Sequence, residues 1–289
     1  MIGRSMLLGM SDPNQTAFIS EAKYLEDVTN EYGRMSRPRR FDCLTLLVFD
    51  DFGSSYASDI RKAAVAVFQE PVDIQGAGRT DAGVHALGQV AHLVAGRRLR
   101  PVEIRNGLND SLPSNINILD VSPAGRGFHA RHDAHLRSYL YAVSMRRSAF
   151  LKRYIWWVRD RLDVKAIQSA ADLFGGMHNF AAYADKRSSA DASTKVLLQR
   201  PEIRETGSII LVRVVGSHFL WKMVRRMIGV LVEVGRGKAG MEEVEATLCG
   251  PNELPARLTA PPSGLFLERV LYGGDTLQPL SSVAWPPFG

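Results

Sequence analysis

From residue 43 onward apolar positions recur at strand or helix periods, whereas residues 1–41 are polar and show no sustained period. The first 41 residues therefore read as an arm or a loosely attached segment. CLTLLVF (43–49) is an apolar, strand-like run. In SDIRKAAVAVFQEP (58–71), Ile60, Ala63, Ala64, Val67 and Phe68 share one face at helical spacing. Ser58 or Asp59 can cap that helix, and Pro71 stops it. VDIQ (72–75) and GQVAHLVA (88–95) read as strands. RPVEIRNGLNDSLP (100–113) predicts a helix opening near Pro101, and INILDVS (116–122) a strand. Strand, helix, strand, strand, helix, strand is the order of a split βαβ, or ferredoxin-like, unit.

The order then recurs. RSYLYAVSM (137–145) alternates as a strand, and DVKAIQSAADLFGG (163–176) predicts a helix capped by Asp163 and ended by Gly175 or Gly176. STKVLLQRPEIRE (193–205) and SIILVRVVG (208–216) predict a hairpin. SHFLWKMVRRMIGVLVEVG (217–235) reads as a long helix with Phe219, Met223, Met227 and Leu231 on one stripe. A short helix at 241–250 and a strand at 265–272 follow. The pattern predicts an α+β fold in which two ferredoxin-like (split βαβ) halves join around a central mixed, mainly antiparallel sheet. The divisions are an N-terminal arm (1–41), an N-terminal half (42–135), a C-terminal half (136–275) and a Pro-rich C-terminal tail (276–289).

Composition narrows the setting. Of 289 residues 45% are hydrophobic, enough for a substantial core, and 23% are charged. Cys43 and Cys249 are the two cysteines and form no C-x-x-C, so neither a disulfide framework nor a cysteine zinc site is expected, and a reducing cytoplasm is the natural compartment. No apolar run reaches the roughly 18 residues of a membrane span. The net charge of +6 alone fits ordinary solubility, but the arginines cluster in RPRR (37–40), GRRLR (96–100), MRRS (145–148), VRDR (158–161) and VRRM (224–227). Clustered guanidinium groups suit a polyanionic partner gripped in a basic cleft.

The chemistry concentrates in QGAGRTDAGVHALGQVAHL (75–93). Gly76, Gly78 and Gly83 let the chain turn sharply and let a ligand approach the backbone. Arg79 and Asp81 are two apart, which in an extended turn sets them on one side. A nearby cation favours the ionised carboxylate, and such a carboxylate in a cleft can attack an electrophilic carbon. The same residues also suit a hairpin loop tied by a surface ion pair. A dinucleotide-binding loop does not fit, because Asp81 occupies the place of its third glycine. His129, His132 and His135 are spaced by threes, but no further ligand accompanies them and no metal site is expected.

The whole string resembles the catalytic segment of the tRNA pseudouridine synthase A family, through Gly78, Arg79, Thr80, Asp81, Ala82, Gly83, Val84 and His85, then Gly88, Gln89 and Val90. FHARHDAHLRSYLY (128–141) is similar to the family's F-H-A-R-x-x-A-x-x-R-x-Y-x-Y, and FLWKMVRRMIG (219–229) to its F-L-x-x-M-V-R helix. APPSGLFLERVLY (260–272) resembles its closing strand.

The resemblance implies a tRNA-modifying isomerase that turns uridine into pseudouridine in the anticodon stem-loop, at positions 38–40 of tRNA. It implies no cofactor, a homodimer, and tRNA as partner. Asp81 is then the catalytic residue. Arg79 helps extrude the nucleotide and pairs with Asp81, Tyr139 packs on the base, and Arg225 stands beside the carboxylate. His85, Arg131 and Arg137 fall on matched positions and join Tyr139 as expected substrate-binding residues. The family's early Y-D-G-T-x-(F/Y)-x-G-W-Q-x-Q segment is replaced by LTLLVFDDFGSSY (44–56). That departure keeps a non-catalytic RNA-binding module as the alternative. A small-molecule enzyme with Asp81 as general base would leave the arginine clusters unexplained.

Overall fold

The computed structural model describes residues 42–50, 56–185 and 193–283. The arm at 1–41 and part of the divergent segment at 51–55 lie outside the described residues.

The first half runs β1 (Asp42–Asp50), α1 (Tyr56–Phe68), β2 (Asp73–Gly76), β3 (His85–Ala95), α2 (Pro101–Ser111) and β4 (Ile116–Ala124). The second holds β5 (Leu136–Ser144), β6 (Trp156–Trp157), α3 (Val164–Asp172), β7 (Gly176–Asn179), β8 (Lys195–Leu198), β9 (Glu202–Thr206) and β10 (Ile209–Gly216). It continues with α4 (Met223–Gly235), α5 (Met241–Cys249), α6 (Leu254–Arg257) and β11 (Leu265–Leu271). The described strands form one sheet of eleven, ordered β4-β1-β3-β11-β5-β10-β8-β7, with β2 on β3, β6 on β5 and β9 on β10. The β3–β11 and β5–β6 pairs are parallel and the other pairs antiparallel, so the sheet is mixed.

Each half buries its own helices. Ile60, Ala64 and Phe68 of α1 and Ile104 and Leu108 of α2 pack on Leu44, Leu46 and Val48, alternate residues of β1. In the second half, α4 is buried at eleven of its thirteen positions, and its Met223, Met227 and Leu231 meet Tyr141, Val143 and Val212. A Cβ on Gly229 would lie 1.5 Å from the carbonyl oxygen of Leu258, so only glycine lets the chain after α6 cross α4 this closely. Asp163 caps α3, accepting from the backbone N–H of Lys165 and Ala166.

Four differences from the sequence reading have physical causes. The helix predicted over 217–235 starts only at Met223. Before it, Ser217 still donates to Leu197 across the sheet, and Lys222 adopts a left-handed φ of 63°. The hairpin strand predicted over 193–205 is broken into β8 and β9 around Pro201, whose ring nitrogen has no hydrogen to donate to a ladder. The strand predicted over 88–95 begins earlier, at His85, because β11 pairs there with His85 and Ala86. Residues 276–283, set apart as a tail, dock on β9 and β10: Leu280 is buried, and Arg204 donates to the carbonyls of Leu280 and Val283.

Candidate active site

Strand β3 builds the site by changing neighbours along one edge. Its residues 91–94 pair with β2, and its residues 85–86 pair with β11. β2 and β11 therefore part at the middle of β3, and the loop 77–84 rises through the gap. Ala77 still donates to Val90 at 2.7 Å, and Gln89, fully buried, donates its side-chain N–H to the carbonyl of Gly78 at 3.1 Å. A turn then closes from the N–H of Val84 to the carbonyl of Asp81, with Gly83 at φ 79°. Gly88 has its own reason: a Cβ there would meet the carbonyl oxygen of Glu268 at 2.9 Å.

Asp81 is thereby presented to a cleft of about 830 Å³ floored by Leu267 and Val270. The opposite wall comes from residues 218–225, the approach to α4 and its first turn. Both carboxylate oxygens are held. The indole Nε1 of Trp221 donates to Oδ1 at 2.7 Å, and Nη1 of Arg225 lies 3.4 Å from Oδ2. Arg225 is itself fixed by an Nε donation of 2.7 Å to the carbonyl of Ala260. Tyr139 lines the cleft with its ring edge-on to Phe219, centroids 4.9 Å apart. Burial pushes its hydroxyl up to about 12, with Arg137 lowering it and Asp81 raising it. Among the described residues the cleft carries the cationic side chains of Arg79, Arg131, Arg137, Lys222 and Arg225 against the single carboxylate of Asp81.

The predicted residues do not all converge. Asp81, Tyr139 and Arg225 do. Arg79 lies exposed at the rim and makes no ion pair with Asp81. The partner expected in Arg79 is supplied by Arg225 and Trp221. Arg131 stands exposed at the same rim. Arg137 is tied to three carbonyls, of Ala134, Ser217 and Arg131, and burial lowers its pKa from the usual arginine value. His85 does not reach the cleft. Strand residues alternate faces, so Ala86 packs with Leu267 under the cleft while His85 is buried on the other side, stacked on Phe266 and bonded to the carbonyl of Arg153. His85, expected to bind substrate, thus lies outside the lining of this cleft.

The histidines serve the loop structure. Nδ1 of His129 accepts from the backbone N–H of Arg131 and His132, capping the turn that carries Arg131. Among the described residues no group of three or more His, Cys, Asp or Glu side chains is placed to hold a metal ion. Tyr141 is a core residue, its hydroxyl donating to the carbonyl of Pro261. Trp221 was missed because its segment reads as helix. The available signal was an indole donor two residues before the helix start and four before Arg225.

Comparison with known proteins shows the family. The model of a family described as tRNA pseudouridine synthase matches residues 49–133 and 170–273, which include both Asp81 and Arg225. A protein named tRNA pseudouridine synthase A from Syntrophotalea carbinolica is 39% identical over 76% of this chain and 88% of its own length. Proteins of the same name from Methylacidiphilum infernorum and Rhizobium meliloti are 35% and 37% identical, over 75% and 77% of this chain and 86% and 92% of theirs. Among solved structures, the match to a chain of a Cbf5-Nop10-Gar1 complex covers 66% of this chain and 45% of that one, at 11% identity and a TM-score of 0.36. With both halves matched, the chain belongs to the tRNA pseudouridine synthase family.

Proposed function

We propose that this protein isomerises uridine to pseudouridine in tRNA, with Asp81 as the catalytic carboxylate. The observation that carries the reading is the placement of Asp81. It lies in a basic cleft wide enough for a nucleotide, its oxygens held by Arg225 and Trp221, with Tyr139 lining the same cleft. The built site favours turnover over a binding module that has lost catalysis.

A base inside a helical stack cannot reach such a carboxylate, so the target nucleotide is everted into the cleft. Its N1–C1′ bond breaks, the uracil turns, and a C5–C1′ bond forms. The hydrogen leaves C5 and N1 gains a proton, so atoms and electrons balance within the substrate and the reaction needs no cofactor. Asp81 acts as nucleophile or base toward the nucleotide, Tyr139 stacks on the base, and Arg79 and Arg131 at the rim meet the phosphates. We read the substrate region as the anticodon stem-loop, positions 38–40, and the working form as a homodimer. The strand orders β4-β1-β3-β2 and β11-β5-β10-β8-β7 support reading residues 42–135 and 136–275 as two ferredoxin-like halves, with the parallel β3–β11 pair as the join.

The test is tritium release from tRNA labelled at C5 of uridine. Wild-type protein releases tritium, while Asp81→Asn releases none and keeps its tRNA affinity. Release by Asp81→Asn at the wild-type rate would overturn the assignment.

A further inference from the structure

We infer that Trp221 is a positioning residue for this reaction: its indole N–H fixes Oδ1 of Asp81 while Arg225 holds Oδ2, setting the plane of the carboxylate before substrate enters. The inference rests on Asp81 being the catalytic group. Its geometry is the 2.7 Å donation from Nε1, shorter than the 3.4 Å contact from Arg225. A single donor leaves a carboxylate free to rotate about its side-chain bonds. Two donors on opposite oxygens, from neighbouring turns of chain, do not.

The backbone under Trp221 is built for this. Among the described residues two non-glycine residues have positive φ, Gln69 and Lys222. Gln69 follows the end of α1, where its N–H closes on the carbonyl of Val65, and a left-handed residue is an ordinary way to finish a helix. Lys222 precedes a helix, so that explanation does not cover it. A left-handed lysine is strained, and persists only where its surroundings over-determine it.

Those surroundings are visible. Nζ of Lys222 pairs with Asp185 at 2.8 Å, and Arg226 reaches the same carboxylate at 3.7 Å. The N–H of Asp185 donates to the carbonyl of Trp221, and Arg226 donates its N–H to the carbonyl of Lys222. Nζ of Lys222 also lies 5.0 Å from the centre of the Trp221 ring. Strain at Lys222 is thus held in place by a clamp whose product is the direction of one indole.

The experiment compares Trp221→Phe and Trp221→His with wild type. Phenylalanine keeps a ring and loses the donor, whereas histidine keeps a ring N–H. Loss of a hydrogen bond to a charged acceptor is expected to lower kcat of Trp221→Phe on the order of 10- to 100-fold. KM should stay within about twofold, since the contact is to the enzyme's own carboxylate. Trp221→His should recover part of the loss. Independently of turnover, the indole N–H signals of the four tryptophans are recorded by NMR. One is absent in Trp221→Phe, and that one moves in Asp81→Ala. Unchanged kcat in Trp221→Phe, no recovery in Trp221→His, or an indole signal indifferent to Asp81→Ala would each overturn the inference. If wild type itself releases no tritium, the proposed function fails, and the NMR signal still decides the contact.

Discussion

Arg225 faces Asp81 and the chain behind it at once: Nη1 lies 3.4 Å from Oδ2 of Asp81 while Nε donates to the carbonyl of Ala260 at 2.7 Å. A forked guanidinium can serve both, and a lysine ammonium at the end of a flexible stem cannot. Arg225→Lys should therefore keep the cleft's charge and still lose on the order of tenfold or more in kcat. Tritium release at saturating tRNA measures it. An Arg225→Lys protein as fast as wild type would mean that charge alone, without fixed direction, suffices at this carboxylate.

The second prediction concerns alkaline pH and Tyr139. Burial pushes its hydroxyl up to about 12, whereas tyrosines of an unfolded chain ionise near 10. The folded state holds the proton more tightly, so the contribution to stability is complete below pH ~10 and lost as pH rises toward ~12. Tyr141, Tyr183 and Tyr272 are also raised by burial and add to the same loss. Tm should fall steeply across that window. Tyr139→Phe, which keeps the ring, should make the fall shallower, as Tm measured against pH on both proteins will show. At neutral pH Tyr139 is a hydroxyl donor, not a phenolate.

Much of this was readable from spacing because the physics is local. The face of Ile60, Ala64 and Phe68 predicts α1 and is the face that packs on β1. Asp163 predicts the start of α3 because an N-cap needs a side-chain acceptor just before the apolar stripe. What spacing did not carry is long-range. His85 matches the motif as closely as Asp81 does, yet the pairing of β3 with β11 puts it in the strand and turns it away from the cleft. Trp221 sits in a segment with helical periodicity, and the left-handed Lys222 that ends that periodicity is held by Asp185, thirty-seven positions earlier. Trp156–Trp157 and Gly176–Asn179 are strands because of the partners beside them, not because of their own alternation.

The third prediction tests the sheet behind the cleft. Arg213, 1% exposed, is bonded to both carboxylate oxygens of Glu268, at 2.9 and 2.6 Å, and to the carbonyl of Gln278. Glu268 sits at the register shift of β11 and also accepts from Ser138. Removing Glu268 leaves the buried guanidinium with only the half-exposed carboxylate of Glu202, 3.3 Å away, so Glu268→Ala should lose about 3 kcal/mol of stability. Replacing both, with Arg213→Met and Glu268→Leu, should lose far less. Urea unfolding of the single and double variants gives both numbers, and equal losses would show that the pair's burial, not its pairing, governs the site.

The fourth prediction separates the rim from the inside of the cleft. Arg79 and Arg131 are exposed and line both the main cleft and an adjoining hollow of about 520 Å³ that reaches His129 and His132. Neither contacts Asp81, so neither is needed to hold the carboxylate. Exposed arginines on a continuous basic path do their work on phosphates, where each neutralised phosphate releases counterions and steepens the salt dependence of binding. Arg79→Ala and Arg131→Ala should each weaken tRNA binding, and each should reduce the slope of log K against log salt by about 1. Arg225→Lys and Asp81→Asn, deeper in the cleft, should leave that slope where it is. Filter binding across a salt series measures all four. An Arg225→Lys or Asp81→Asn variant that flattened the slope as much as a rim variant would place a phosphate beside the carboxylate and contradict the uridine pose. If the rim variants bind with an unchanged slope, the RNA enters the cleft by a path that does not cross Arg79 and Arg131.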